Sequence, residues 1–161
     1  MQSIAYREQY NLNSITLIPS NLYGEYDNFN LEESHVIPAL VRKIHNAIKK
    51  KRKIIEVWGT GKPKREIMHV DDLADAIVYF MNKKTKESLI NIGSGYERTI
   101  NQYAKILINI SGKKIRIKNL NKNLNGVRKK LLNSNLARKY GWVSKENILQ
   151  KLKETFESYK E

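Results

Sequence analysis

Short runs of β-branched and aliphatic residues alternate along this chain with amphipathic helical stretches, and that alternation restricts it to an α/β architecture more tightly than any other feature. Ser14-Ile-Thr-Leu-Ile18 is apolar, β-branched and stopped by Pro19, which predicts a buried strand. The Asn-, Asp- and Gly-rich stretch Asn21–Asn30 reads as loop. Ser34 is predicted to cap a helix in which Val36, Leu40, Ile44 and Ile48 recur at four-residue spacing. Pro38 falls in its first turn, where a missing N–H costs nothing, and the Lys49–Lys53 run suits its negative end. Ile54–Trp58 is strand-like, Gly59-Thr-Gly61 turns the chain, and Arg65–His69 predicts a second short strand. A helix opening at Asp71 or Asp72 runs to Met81, and Leu89–Ile92 is a strand stopped by Gly93-Ser-Gly95. Thr99 with Gln102 three residues on forms a capping box for a helix to Ile110. Lys114–Lys118 alternates like an edge strand and Asn119–Asn125 is a polar loop. Ser134 is predicted to cap a short helix to Tyr140, and Ser144 to open a last one lined by Ile148, Leu152 and Phe156.

The start of the chain is the awkward point. Met1–Tyr10 reads as the end of a helix that leads directly into a buried-type strand. A parallel strand of that kind needs neighbours on both sides, and few strands precede it. The expected fold is therefore the C-terminal part of a larger parallel sheet, with an open edge at Ser14–Ile18.

Composition removes several classes of function. There is no cysteine, so disulfides, thiolate metal sites and a thiol nucleophile are excluded, and no metal site is expected. No apolar run approaches the ~20 residues of a membrane span, and the first residues lack a signal-peptide pattern. An intracellular, cytoplasmic protein without a membrane partner is expected. The net charge of +14 is concentrated: Met1–Glu97 holds 14 basic and 12 acidic residues, whereas Arg98–Lys145 holds 13 basic and none acidic. Such a stretch suits a polyanion or one anionic small molecule. It carries no RNP-like, zinc-finger or helix-turn-helix signature, and a solvated basic face explains most of these lysines. A basic module binding nucleic acid through residues 98–145 is the alternative function.

Pro19-Ser-Asn-Leu-Tyr-Gly24, Asp27-Asn-Phe-Asn30 and Ser34-His-Val-Ile-Pro-Ala-Leu40 are followed by Val57-Trp-Gly-Thr-Gly-Lys-Pro-Lys-Arg-Glu66 and His69-Val-Asp-Asp-Leu-Ala74. Asn91-Ile-Gly-Ser-Gly95 and Arg128-Lys-Lys-Leu-Leu132 complete the series. In order and spacing these blocks resemble the GDP-L-fucose synthases, NADPH-dependent epimerase-reductases of the extended short-chain dehydrogenase superfamily. The resemblance covers essentially the whole chain. It implies a Rossmann-type sheet, of which this chain holds the C-terminal part, plus a smaller α/β substrate-binding domain. Residues 1–30 would be a remnant of the cofactor-domain sheet and its loop. Residues 31–161 would be the substrate-binding domain, with elements of about 65–92 returning to the cofactor domain.

The resemblance also implies a reaction. GDP-4-keto-6-deoxy-mannose is epimerised at C3 and C5 and then reduced at C4 by hydride from NADPH. The ketone acidifies both neighbouring carbons, so epimerisation needs an acid and a base on opposite faces of the sugar. His35 matches the family's catalytic acid and a cofactor contact, and imidazole exchanges protons near neutrality. Read alone, His35 beside Ser34 is a helix-capping residue. Pro19, Ser20, Asn21 and Leu22 match the loop passing the nicotinamide, and are otherwise an ordinary turn. Lys43, Trp58, Arg65 and Asn125 match positions that contact the GDP-sugar. Arg65 could bind diphosphate with two parallel hydrogen bonds and Lys43 would add a point charge; without the match, Lys43 is a solvated helix residue and Trp58 is core. His45 and His69 read as structural.

Three family features are expected to lie upstream of these residues: the glycine-rich dinucleotide turn, the family's Tyr-x-x-x-Lys pair, and the cysteine that serves as second epimerisation residue. The cofactor-binding half is expected to be missing, supplied as another polypeptide if the enzyme is split, and a homodimer partner is the other candidate. In Asn125-Gly-Val-Arg-Lys-Lys-Leu-Leu-Asn133 an asparagine stands where the family usually has aspartate, and Arg128 where it has proline.

Overall fold

The computed structural model describes residues 2–120 and 126–160. Helix α1 (Gln2–Tyr10) leads to β1 (Thr16–Pro19) and β2 (Asn21–Tyr23), then α2 (Val36–Lys49), β3 (Ile54–Val57), β4 (Lys64–His69) and α3 (Val70–Met81). The chain continues through β5 (Leu89–Ile92), β6 (Glu97–Thr99), α4 (Ile100–Ile110), β7 (Arg116–Asn119), β8 (Lys129–Lys130), α5 (Asn135–Lys139) and α6 (Ile148–Ser158). The α/β reading therefore holds, and among the described residues no helix is long and apolar enough to cross a membrane.

Strand β4 organises the sheets. It pairs in parallel with β2 (Asn21↔Ile67 to Tyr23↔His69), antiparallel with β6 (Lys64↔Thr99 to Glu66↔Glu97), and in parallel with β8 (Lys64↔Lys129, Arg65↔Lys130). Two parallel pairs stand beside this sheet, β1 with β5 and β3 with β7. Successive residues of β4 point to opposite faces and enter separate cores. Ile67 joins the cluster of Tyr23, Ile44, Val41, Leu107 and Leu152, whereas Met68 joins Phe80, Ile90, Ile92, Ala137 and Trp142. Helix α2 buries Ile37, Leu40, Val41, Ile44 and Ala47 in the first cluster. Each such large side chain contributes about 1.5–3 kcal/mol of transfer free energy, which anchors the helix whose first turn borders the site.

The β1–β5 pair is covered on one side only. Ile15, Leu17, Ile90 and Ile92 face α3 and α5, while Ile18 and Leu89 remain exposed on the other. Among the described residues β1 has no partner but β5, as expected from a strand reached so early in the chain.

Several local expectations need correction. Asn21–Tyr23 is strand rather than loop, because its backbone groups are taken up by β4. The N-cap of α2 is His35, not Ser34, and no side chain caps it. The last helix starts after Asn147, whose Oδ1 accepts from Leu149 N–H (3.1 Å) and Gln150 N–H (3.2 Å). Ser144 is instead pulled into the interior, donating to buried Asp72 at 2.5 Å. Ser134 precedes α5 without a side-chain capping bond. The capping box of α4 forms as expected, with Gln102 N–H on Thr99 Oγ1 at 3.1 Å and Thr99 N–H on Gln102 Oε1 at 2.8 Å.

Candidate active site

Strand β2, the start of α2 and strand β4 converge on a cavity of about 190 Å³ lined by Asn21, Leu22, Ser34, His35, Val36, Ile37, Arg65 and Ile67, whereas Pro19 and Ser20 do not line it. Four of the residues singled out from sequence therefore share one wall space: Asn21, Leu22, His35 and Arg65. Each is delivered by a different constraint. Pairing with β4 fixes Asn21 and Leu22, and Asn21 Nδ2 donates to Glu66 O at 2.7 Å. His35 is extended (φ −69°, ψ 172°) and its ring makes no capping bond, so the exposed imidazole is left uncommitted. Arg65 Nη1 donates to the carbonyls of Lys64 and Val127, both at 2.7 Å, which aims the guanidinium without neutralising it.

Register adds charge to Arg65. Arg98 lies opposite it on β6 and Lys130 on β8, so the three side chains leave the same face. Arg98 in turn stacks on Tyr96, 4.4 Å from the ring centroid. Lys130 was visible in sequence only within a basic block; its alignment with Arg65 needed the strand pairing. Asp27, part of the Asp27–Asn30 block but assigned no role by the resemblance, also stands near His35. Burial holds its carboxyl above the ordinary range, opposed by the Asn28 N–H at 2.7 Å and by the neighbouring His35.

Lys43 and Trp58 lie on the continuation of the same surface. A hollow of about 110 Å³ shares Ser34 and Val36 with the His35 cavity and is lined further by Lys43 and Trp58; a larger one of about 520 Å³ continues past them to Lys50, Arg52 and Lys118. Trp58 is 54% exposed, so it is a shelf rather than core. The Lys43 ammonium sits 5.0 Å from its ring centroid and donates to Glu56 O at 3.0 Å. Burial lowers the Lys43 pKa and Glu56 opposes that shift. Pro19 ends β1, and Ser20 beside it is buried with its Oγ unpartnered among the described residues. Asn125 lies outside the described residues, but the adjoining Gly126 comes so near the site that an added Cβ would be 3.2 Å from Arg65 Nη2.

His45 and His69 serve packing. His45 Nε2 is 2.9 Å from Phe156 O, and His69 Nδ1 accepts from Asp71 N–H to cap α3. The acid-free stretch 98–145 is partly compensated by acids from elsewhere: Lys118 pairs with Glu56 (3.1 Å), Lys129 with Glu97 (3.5 Å) and Lys145 with Asp75 (3.0 Å).

The sequence model described as "NAD dependent epimerase/dehydratase family" matches residues 2–93. The chain is 39% identical over 157 residues to the probable GDP-L-fucose synthase 1 of Oryza sativa subsp. japonica, spanning 98% of this chain and 48% of that protein. Among solved structures it is similar to the GDP-mannoheptose C4 reductase from Campylobacter jejuni with NADP bound, at 30% identity and a TM-score of 0.80 over 97% of this chain and 55% of that one. It is also similar to the GDP-L-fucose synthetase from Naegleria fowleri bound to NADP, at 26% identity and a TM-score of 0.82 over 89% of this chain and 44% of that one. The chain thus spans about half the length of the relatives it matches. With more than half its residues matched by the family's model and its fold shared with these reductases, the chain belongs to the NAD dependent epimerase/dehydratase family.

Proposed function

We propose that this chain forms the substrate-side half of an NADPH-dependent GDP-L-fucose synthase-type enzyme, acting on a GDP-linked 4-keto sugar. The observation that carries the reading is the convergence of His35, Arg65, Asn21 and Leu22 on one cavity. Relatives that share nearly the whole of this chain are GDP-L-fucose synthases, and the charge pattern suits the proposed ligand. Arg65 and Lys130 provide cations for the diphosphate, while the Trp58 shelf with Lys43 offers a flat apolar face for the nucleoside. His35 then exchanges protons at the sugar carbons flanking the ketone. The first turn of α2 faces the same cavity, so its free N–H groups favour negative charge developing there.

The residues present fit the nicotinamide end of the cofactor. Ser20 Oγ is a buried hydroxyl without a partner among the described residues, and Leu22 supplies an apolar wall. When bound, the cofactor supplies hydride to the sugar ketone. Pro19, Ser20, Asn21, Leu22 and His35 would hold that end of the cofactor. The acid that protonates the C4 oxygen is expected on the complementary half, which would be joined in one polypeptide or supplied separately.

Calorimetry of this chain with GDP tests the reading. Saturable binding that is lost in Arg65→Ala supports it. Absence of binding at millimolar GDP would overturn it. Mixing the chain with a separately expressed cofactor-binding half should restore NADPH oxidation in the presence of the 4-keto sugar.

A further inference from the structure

Glu66 is 1% exposed, yet it sits between Arg65 and the core on the strand that bounds the cavity. Its two carboxylate oxygens are both engaged by backbone donors from distant segments. Oε1 accepts Gly95 N–H at 2.7 Å and Oε2 accepts Leu132 N–H at 2.9 Å. Its own carbonyl accepts Asn21 Nδ2 at 2.7 Å. One residue therefore ties together β2, the turn after β5 and the segment that follows β8.

The tie bears on the site because Arg65 grips the other end of that last segment. Arg65 Nη1 holds Val127 O while Glu66 holds Leu132 N–H, and between them Lys64 N–H donates to Arg128 O at 2.9 Å. The two neighbours project to opposite faces of β4 and clamp residues 127–132 from both sides. Lys130 lies inside this clamp, in register with Arg65. How Lys130 and Arg65 present their charges thus depends on where Leu132 is held.

The chemistry asks for a carboxylate. A carboxylate offers two acceptor oxygens and no donor; an amide would turn an NH2 group against one of the two N–H donors. The group is also wedged in place, since a Cβ added at Gly93 would come within 2.3 Å of Oε1. We propose that Glu66 is a positioning residue of the nucleotide-sugar site, setting the 126–132 segment so that Lys130 and Arg65 converge on one anion. This rests on the site reading given above.

The test compares GDP affinity by calorimetry in the wild-type chain, in Glu66→Gln and in Asp72→Asn. Asp72 is another buried carboxylate, accepting Lys145 N–H at 2.9 Å and Glu146 N–H at 3.3 Å, away from the cavity. It therefore reports what a generic loss of stability does. Glu66→Gln should weaken GDP by about ten- to a hundredfold, the usual loss when a group that orients a binding residue is removed, and Asp72→Asn should leave affinity within about twofold. Equal weakening in both variants, or none in Glu66→Gln, overturns the proposal. Failure of the wild type itself to bind GDP overturns the site reading instead. Hydrogen exchange on the ligand-free wild type provides a measurement that does not depend on the variant folding. The Gly95 and Leu132 amides should be strongly protected, and fast exchange at either would refute the clamp.

Discussion

Replacing Gly93 by alanine places a methyl carbon 2.3 Å from Glu66 Oε1 and 2.7 Å from Ser134 Oγ. Ordinary contact begins near 3.4 Å, so the carboxylate must retreat by about 1.1 Å. The Gly95 N–H bond to Oε1, 2.7 Å long, then stretches beyond hydrogen-bonding range. Losing a bond to a charged acceptor costs about 1.5–3 kcal/mol, and overpacking adds about 1–3 kcal/mol. Reduced freedom of the unfolded chain returns about 0.4–1 kcal/mol. The net expectation is a loss of roughly 2–5 kcal/mol, read as a lowered urea midpoint at unchanged slope. Gly95 in the same motif is the internal comparison: nothing lies within 4 Å of an added Cβ, but its φ is +73°, so Gly95→Ala should cost only the left-handed penalty of about 1–2 kcal/mol. If Gly93→Ala shifted stability by less than about 0.5 kcal/mol, the carboxylate would not be wedged as described, and the positioning role of Glu66 would lose its structural basis.

Other expectations follow from the same geometry. Asp72→Ala removes the acceptor of Ser144 Oγ and two backbone N–H groups, and should destabilise the chain by about 3–5 kcal/mol in the same urea assay. His35→Gln should leave the thermal midpoint and GDP affinity nearly unchanged while abolishing solvent-deuterium incorporation at the sugar carbons, measured by NMR in the complemented enzyme. Asp71 is held below the ordinary carboxylate range chiefly by its hydrogen bond from Lys151, and Asp75 chiefly by that from Lys145. Because these folded-state pKa values are depressed, their stabilisation is complete above the unfolded Asp value of 3.8 and disappears as pH falls through the lowered ones. A midpoint that rose on acidification through that window would contradict both ion pairs. The bare side of the β1–β5 pair, with Ile18 and Leu89 exposed, should bind a hydrophobic dye, and addition of the cofactor-binding half should suppress that signal.

What could be read from the residues alone was whatever local periodicity encodes. The apolar face of α2, the Thr99–Gln102 box and the β-branched runs of β1, β3 and β5 depend on spacings of two to four residues, so they appear in the sequence directly. The blocks that resemble those of the GDP-L-fucose synthases singled out Arg65, His35 and Lys43. Short strands escaped because β2, β6 and β8 are two or three residues long, too few to show a period. They exist because β4 satisfies their backbone groups. The caps at Ser34 and Ser144 failed for separate reasons: α2 starts after His35 with no side-chain cap, and Asp72 claims Ser144 from 72 residues away. Only the folded chain decided that His35 and Arg65 share a cavity, that Lys130 stands level with Arg65, and that Glu66 joins segments 45 and 66 residues distant. Helix faces and caps are settled within one turn of chain, whereas sheet register and buried polar ties are settled by closure of the whole core.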